Sequence, residues 1–260
     1  MAERLCLAIA GRLGVSPGQI VPSQTVDALL TSLAGDAAVE AMTQRSDFAG
    51  QTKSEATAGN VGFVSSPDLE TGIMLTMSAA VRLARAHRLL IIDERAGGFA
   101  HRDHLPLFRE FEHVALLRSF DNWIAPIGGR LSYLVVRAPL ADRPALPDND
   151  SLRWSLATLA DQAYVDAAMR TVARERVRLA RSLRKLNMVR PLPSASGFVA
   201  ARVERGDRDA LRLYLDERGI RLHYPESEER RQLVRISAVS SGATERLCAA
   251  LIDWAATLDS

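Results

Sequence analysis

Leu89-Leu90-Ile91-Ile92-Asp93-Glu94 decides the fold. A short, fully apolar run that ends abruptly in two acids fits a strand buried on both faces, as in a parallel sheet, with the acids at its carboxyl end. Working outward, Val61 to Val64 predicts a second strand, and Gly72 to Arg88 an amphipathic helix between the two. Downstream, His113 to Arg118 and Leu131 to Arg137 predict two more strands. Short apolar strands alternating with longer amphipathic helices predict an α/β fold with a mostly parallel sheet. Ligands on such sheets collect at the carboxyl ends of the strands, where Ser65, Asp93 and Ser119 fall.

Before this block, Leu5, Ala8, Ile9 and Leu13 share one helical face, Gly14 is placed to cap it, and Val26 to Leu33 predicts a second helix. Residues 34–60 are poor in large apolar side chains and read as loops with at most one short helix. Residues 139–150 hold several prolines and read as a connector. In the helical region 151–190 that follows, Val165, Ala168, Val172, Leu179, Leu183 and Leu186 form the apolar stripe and the arginines a solvated face, with a break expected near Gln162 to Tyr164. Residues 191–260 predict a small α/β domain: strand 197–203, helix 207–217 closed by Gly219, strands 220–224 and 232–237, and helix 242–258. The organisation expected is thus a large domain over 1–138, the connector, the long helical region and a small C-terminal domain.

Composition narrows the function. With 260 residues, 47% hydrophobic and 25% charged, the chain reads as globular rather than disordered, and its apolar runs fall far short of a membrane helix. A net charge of +2, spread along the chain, gives no nucleic-acid footprint. Cys6 and Cys248 have neither metal-ligand nor disulfide spacing. No leader precedes the first helix, so a cytoplasmic protein is expected. Of the 33 basic residues only Lys53 and Lys185 are lysine, so chemistry that needs a side-chain amine has two candidates.

Five stretches, taken in order, carry a resemblance: Ser66-Pro67-Asp68-Leu69-Glu70-Thr71-Gly72, Ile91-Ile92-Asp93-Glu94, Leu117-Arg118-Ser119-Phe120, Gly128-Gly129-Arg130-Leu131-Ser132-Tyr133 and Leu233-Val234-Arg235-Ile236-Ser237. Together they resemble the fold-type-I pyridoxal-phosphate enzymes, in the branch of histidinol-phosphate aminotransferase and threonine-phosphate decarboxylase. The resemblance implies an abbreviated aminotransferase-like large domain, a small C-terminal α/β domain, a homodimer and a role in amino-acid-related biosynthesis. It also implies site residues: Asp93 to hold the pyridinium nitrogen, Ser119 and Arg130 to hold the cofactor phosphate, Thr25 as the remaining side-chain donor of the phosphate turn, and Arg235 to clamp a substrate carboxylate.

At the position of the Schiff-base lysine the sequence has Asn122, whose amide nitrogen is delocalised into its carbonyl and cannot form an imine. Other positions depart as well. Leu69 replaces the asparagine that meets the ring hydroxyl, and Ala96 replaces a tyrosine. The phosphate turn reads Ser23-Gln24-Thr25-Val26-Asp27, and the interval from Asp27 to Pro67 is short enough that a strand or two and the ring-stacking aromatic are expected to be missing. The expectation is an aminotransferase-like protein without covalent pyridoxal-phosphate chemistry and without a cofactor, acting as a binding or partner protein, as a homodimer or beside a complete aminotransferase. The alternative is altered chemistry in the same cleft on a phosphorylated or carboxylated molecule, with pyridoxal or pyridoxamine phosphate bound non-covalently or no cofactor at all.

Each of these residues also has a plainer reading. Asp93 can cap the turn after its strand, and Ser119 and Arg130 can serve loop hydrogen bonding and a structural ion pair. His101-Arg102-Asp103-His104 could hold a metal or do acid–base work, but its flanking Gly97-Gly98 and Pro106 favour a solvated loop. No metal site is expected. Trp123 reads as a core or interface residue, and the charge run Glu226 to Arg231 as a solvated turn.

Overall fold

A computed structural model describes residues 1–36, 60–120, 131–137, 140, 142–226 and 230–259. Lys53, Asn122, Trp123 and Arg130 lie outside the described residues.

Among the described residues the chain builds two sheets. The first has strands β1 (Ile20–Ser23), β2 (Val61–Ser65), β3 (Leu89–Asp93), β4 (Val114–Ser119) and β5 (Ser132–Val135), in the spatial order β1-β5-β4-β3-β2. The pairs β2·β3 and β3·β4 are parallel, and β5 runs antiparallel to both its neighbours. The sheet is therefore mostly parallel, as the alternation of strands and helices predicts.

Successive side chains on a strand point to opposite faces, which divides this sheet's residues cleanly. Leu90, Ile92, Leu116 and Val135 pack with Leu5, Ile9 and Leu13 of α1 (Ala2–Leu13), with α3 (Met77–Ala86) and α4 (Leu105–Glu110), and with Leu152 of α5 (Asn149–Ala160). Ile91, Ala115, Leu117 and Leu134 pack on the other face, with Leu29 and Leu30 of α2 (Val26–Ala34). Asp93 and Ser119 belong to the α2 face; Arg118 and Tyr133 belong to the α1 face.

The second sheet, β6 (Val189–Pro191), β7 (Phe198–Val203) and β8 (Leu233–Ser237), is antiparallel. Its core joins Val199, Val234 and Ile236 to Leu215 of α7 (Arg208–Glu217), Leu251 and Trp254 of α8 (Ser241–Leu258), and Leu179 and Leu183 of α6 (Gln162–Arg184). The break before α6 falls at Asp161, whose side chain accepts from the Tyr164 N–H. The first core takes in Leu152 of α5 and the second takes in Leu179, Leu183 and Val189, so the long helical region contributes to both; we propose, as the sequence suggests, a large domain and a small C-terminal domain joined by that region.

Several elements differ from the sequence expectations for identifiable reasons. Helix α3 starts at Met77 rather than near Gly72, because Thr76 caps it by accepting from the Ala79 N–H at 3.2 Å. Gly72 itself sits at φ 74°, and a Cβ there would run into the Ser194 side chain. Strand 220–224 is not formed: the segment makes only a bridge between His223 and Arg235. The long helix does not solvate all its arginines, since Arg176 is buried and gives Nη1 to the Ser196 carbonyl at 2.8 Å. Both cysteines are free and half-buried.

Candidate functional site

The register Ser65↔Asp93 brings the carboxyl ends of β2 and β3 side by side, with Ser119 ending β4. Asp93 is fully enclosed, at 0% exposure. Its Oδ1 accepts from the backbone N–H of Arg95 at 3.0 Å and from Arg95 Nε at 2.9 Å, while Oδ2 accepts from Nη2 at 2.7 Å. This is a two-pronged guanidinium–carboxylate pair, the strongest geometry available to those groups. Asp93 therefore acts both as the cap of the Arg95–Phe99 turn and as the partner of its guanidinium.

The other expected residues are also engaged with the protein. Ser119 Oγ donates to the Leu131 carbonyl at 3.2 Å. Thr25 is the N-cap of α2, its hydroxyl oxygen accepting from the Ala28 N–H at 3.3 Å. Arg235, on the second sheet, reaches across to the first, giving Nη1 to the Leu69 carbonyl at 2.9 Å with its guanidinium 4.7 Å above the Phe198 ring. The structure thus brings Asp93 and Ser119 to one sheet edge and Arg235 to the facing loop, while Thr25 serves its own helix.

Two features are absent from the sequence reading. Arg230 lies in the charge run read as a solvated turn, yet it is 6% exposed, paired with Asp68 at 3.3 Å and with Glu70. Its partners stand about 160 positions earlier, so no local pattern announces the pair. Asp68 also holds its own turn, accepting at Oδ1 from the Thr71 N–H at 2.7 Å. Together Arg230 and Arg235 fasten residues 68–70 to the second sheet.

The second feature lies on the α1 face. His104 is not in a solvated loop: it is 1% exposed, and Glu94 Oε1 accepts from its backbone N–H at 2.7 Å and from Nδ1 at 2.9 Å. Arg118 gives Nε to Glu94 Oε2 at 2.8 Å and Nη2 to Asp103 Oδ2 at 2.7 Å. Burial pushes the Glu94 carboxyl up, but the Arg118 guanidinium and the His104 bonds outweigh it and hold the group below its ordinary value. Burial likewise raises the Tyr133 phenol above its ordinary value, against the pull of Arg118. An arginine inside the otherwise apolar run Val114–Ser119, beside a strand-end glutamate, is the sequence signal that could have found this network. Among the described residues no group of three His, Cys, Asp or Glu side chains is placed to hold a metal ion, and no helix is long and apolar enough to cross a membrane.

The mostly parallel sheet, the long α6 and the antiparallel C-terminal sheet give the chain the fold of the fold-type-I aminotransferases. The solved histidinol-phosphate aminotransferase from Clostridium acetobutylicum superposes with a TM-score of 0.79 at 14% identity, covering 96% of this chain and 87% of that one. The L-threonine-O-3-phosphate decarboxylase from Porphyromonas gingivalis superposes with a TM-score of 0.75 at 18% identity, covering 97% and 88%. By sequence, the relatives are histidinol-phosphate aminotransferases. One from Thiobacillus denitrificans is 29% identical over 199 residues, 72% of this chain and 54% of the relative. One from Haloarcula marismortui is 29% identical over 230 residues, 85% of this chain and 60% of the relative. The matches span roughly half of those curated relatives' length, and no family model matches the chain. By sequence the chain is similar to histidinol-phosphate aminotransferases, and its fold is that of the solved aminotransferases and decarboxylase named above.

The histidinol-phosphate aminotransferase from Sinorhizobium meliloti was solved in complex with pyridoxal 5′-phosphate. Of the residues expected to hold that group, Asn122 and Arg130 lie outside the described residues, and Asp93, Ser119 and Thr25 are engaged with the protein itself. Asp93, the residue expected to meet a pyridinium nitrogen, is enclosed, and both its oxygens accept from Arg95. Ser119 Oγ is turned to a backbone carbonyl.

Proposed function

We propose that this chain is a non-catalytic aminotransferase-like protein, a binding or partner protein that has lost covalent pyridoxal-phosphate chemistry. The observation that carries the reading is the Asp93–Arg95 pair, in which a side chain of the protein supplies the positive charge that a cofactor ring would bring. Asn122, at the lysine position, points the same way. Arg235, the candidate carboxylate clamp, is spent on the Leu69 carbonyl, and Arg230 on Asp68 and Glu70. These contacts tie residues 68–70, after β2, to the second sheet. In this reading the chain keeps the family's shape as a recognition surface, pairing with a second copy of itself or with a complete aminotransferase.

Titration of the purified chain with pyridoxal phosphate and with pyridoxamine phosphate tests this, read by near-ultraviolet absorbance and melting temperature. A ligand at a hundredfold excess over its Kd adds about 2.7 kcal/mol of stability. The proposal expects no thermal shift and no new absorbance band with either compound. A saturable shift with either, lost in Ser119→Ala, would overturn it.

A further inference from the structure

A cavity of about 440 Å³ opens on the α1 face of the five-stranded sheet, and neither Asp93 nor Ser119 lines it. Its floor is Glu94, Arg118 and Tyr133, at 6%, 8% and 3% exposure. Its apolar lining comes from Ile9 and Leu13 of α1, Leu159 of α5, Met169 of α6, and Phe120, with Ser66 and Asp103 adding polar groups. Its rim carries Arg12, His101 and Arg102. Small-molecule sites are typically concave spaces of a few hundred cubic ångströms that join apolar surface to fixed polar groups; this cavity has that size, and its lining divides about evenly between polar and apolar surface.

The charges select the occupant. Three arginines face two carboxylates, Glu94 and Asp103, so the lining is net positive even with His101 neutral. Arg118 is fixed rather than free to swing, since Nε and Nη2 are held by Glu94 and Asp103 and the guanidinium also bonds to the Tyr133 hydroxyl. A guanidinium held this way costs little further ordering when it meets a planar anion. The apolar lining would then cover a hydrophobic body.

We propose that this cavity is a binding site for a small organic carboxylate with an apolar body, its carboxylate directed to Arg118 and Arg12 and its body packed against Ile9, Leu13, Leu159 and Met169. The site stands on the opposite face of the sheet from Asp93, so it is independent of whether a pyridoxal compound binds the α2 face.

The test is calorimetric titration of the full chain with three probes, 2-naphthoate, phenylacetate and octanoate, each to about 5 mM, a limit that captures Kd values down to the weak millimolar range. Saturable one-to-one binding of at least one probe is expected, weakened about tenfold or more when the carboxylate is replaced by the carboxamide. Arg12→Gln changes an exposed residue and should weaken the same probe severalfold. Met169→Trp should fill the cavity and abolish binding, its folding checked by circular dichroism; if that variant fails to fold, Leu159→Phe serves the same purpose. Absence of saturable binding for all three probes would overturn the proposal. So would binding that is indifferent both to the carboxamide replacement and to the filled cavity.

Discussion

Arg95 closes Asp93 from both sides, its Nε 2.9 Å from Oδ1 and its Nη2 2.7 Å from Oδ2. The two residues are neighbours but one, so the pair is made by the turn itself. The acid at the end of β3 is thereby neutralised inside the protein, and its stability and its availability to a ligand depend on the same contact.

Arg95→Ala strands a carboxylate that has 0% exposure. Breaking a buried pair by removing one partner costs several kcal/mol, and the Arg95 side chain is 27% exposed, so the expected loss is about 2–4 kcal/mol in urea unfolding. Arg95→Lys should recover only part of it, since an ammonium cannot make the two-pronged contact. A variant Arg95→Ala as stable as the parent would show that the pair contributes nothing.

Arg230→Ala removes two ion pairs that tie the second sheet to Asp68 and Glu70. Faster amide hydrogen exchange is expected at residues 68–72, whose turn is fastened from that side, with the core of β3 unaffected. Unchanged exchange at 68–72 would mean that the turn stands on its own Asp68 bonds.

Gly72→Ala places a Cβ at φ 74° against Ser194. A left-handed backbone strain and a steric clash add, so a loss of about 1–3 kcal/mol is expected. A companion change Ser194→Gly should relieve the clash and recover part of the loss.

Glu94 gives the pH dependence its sign. Its folded value lies below the ordinary 4.5, so the stability it contributes is fully present above that pH and is lost as pH falls through the lower folded value. Glu94→Gln should destabilise the protein at neutral pH, because Arg118 loses a buried partner, and should flatten the dependence of stability on pH below 4.5. Parallel acid profiles for the two proteins would contradict this assignment.

Much of the fold is legible in the sequence because it is written locally. The strands β2, β3 and β4 and the C-terminal helices follow from apolar runs, periodicity and caps such as Gly14, which adopts φ 63°. Strand β1 is hidden by Pro22, which the sheet tolerates because β1 pairs on one side only, with β5. The candidate site is legible as residue types but not as partnerships. Asp93, Ser119 and Arg235 could be named from the resemblance, whereas the pairs that engage Glu94 and Arg230 join residues from 10 to about 160 positions apart. Local charge runs read as solvated for that reason, and burial reversed the reading at His104 and Arg230.

We propose that no amino group of this chain forms an imine with the aldehyde of pyridoxal phosphate. Incubation of the full chain with that aldehyde, borohydride reduction and peptide mass spectrometry test it directly. No stoichiometric pyridoxyl adduct is expected, with only trace labelling of the exposed Lys185. One equivalent of pyridoxyl group on Lys53 or Lys185, saturating with the aldehyde concentration, would contradict it.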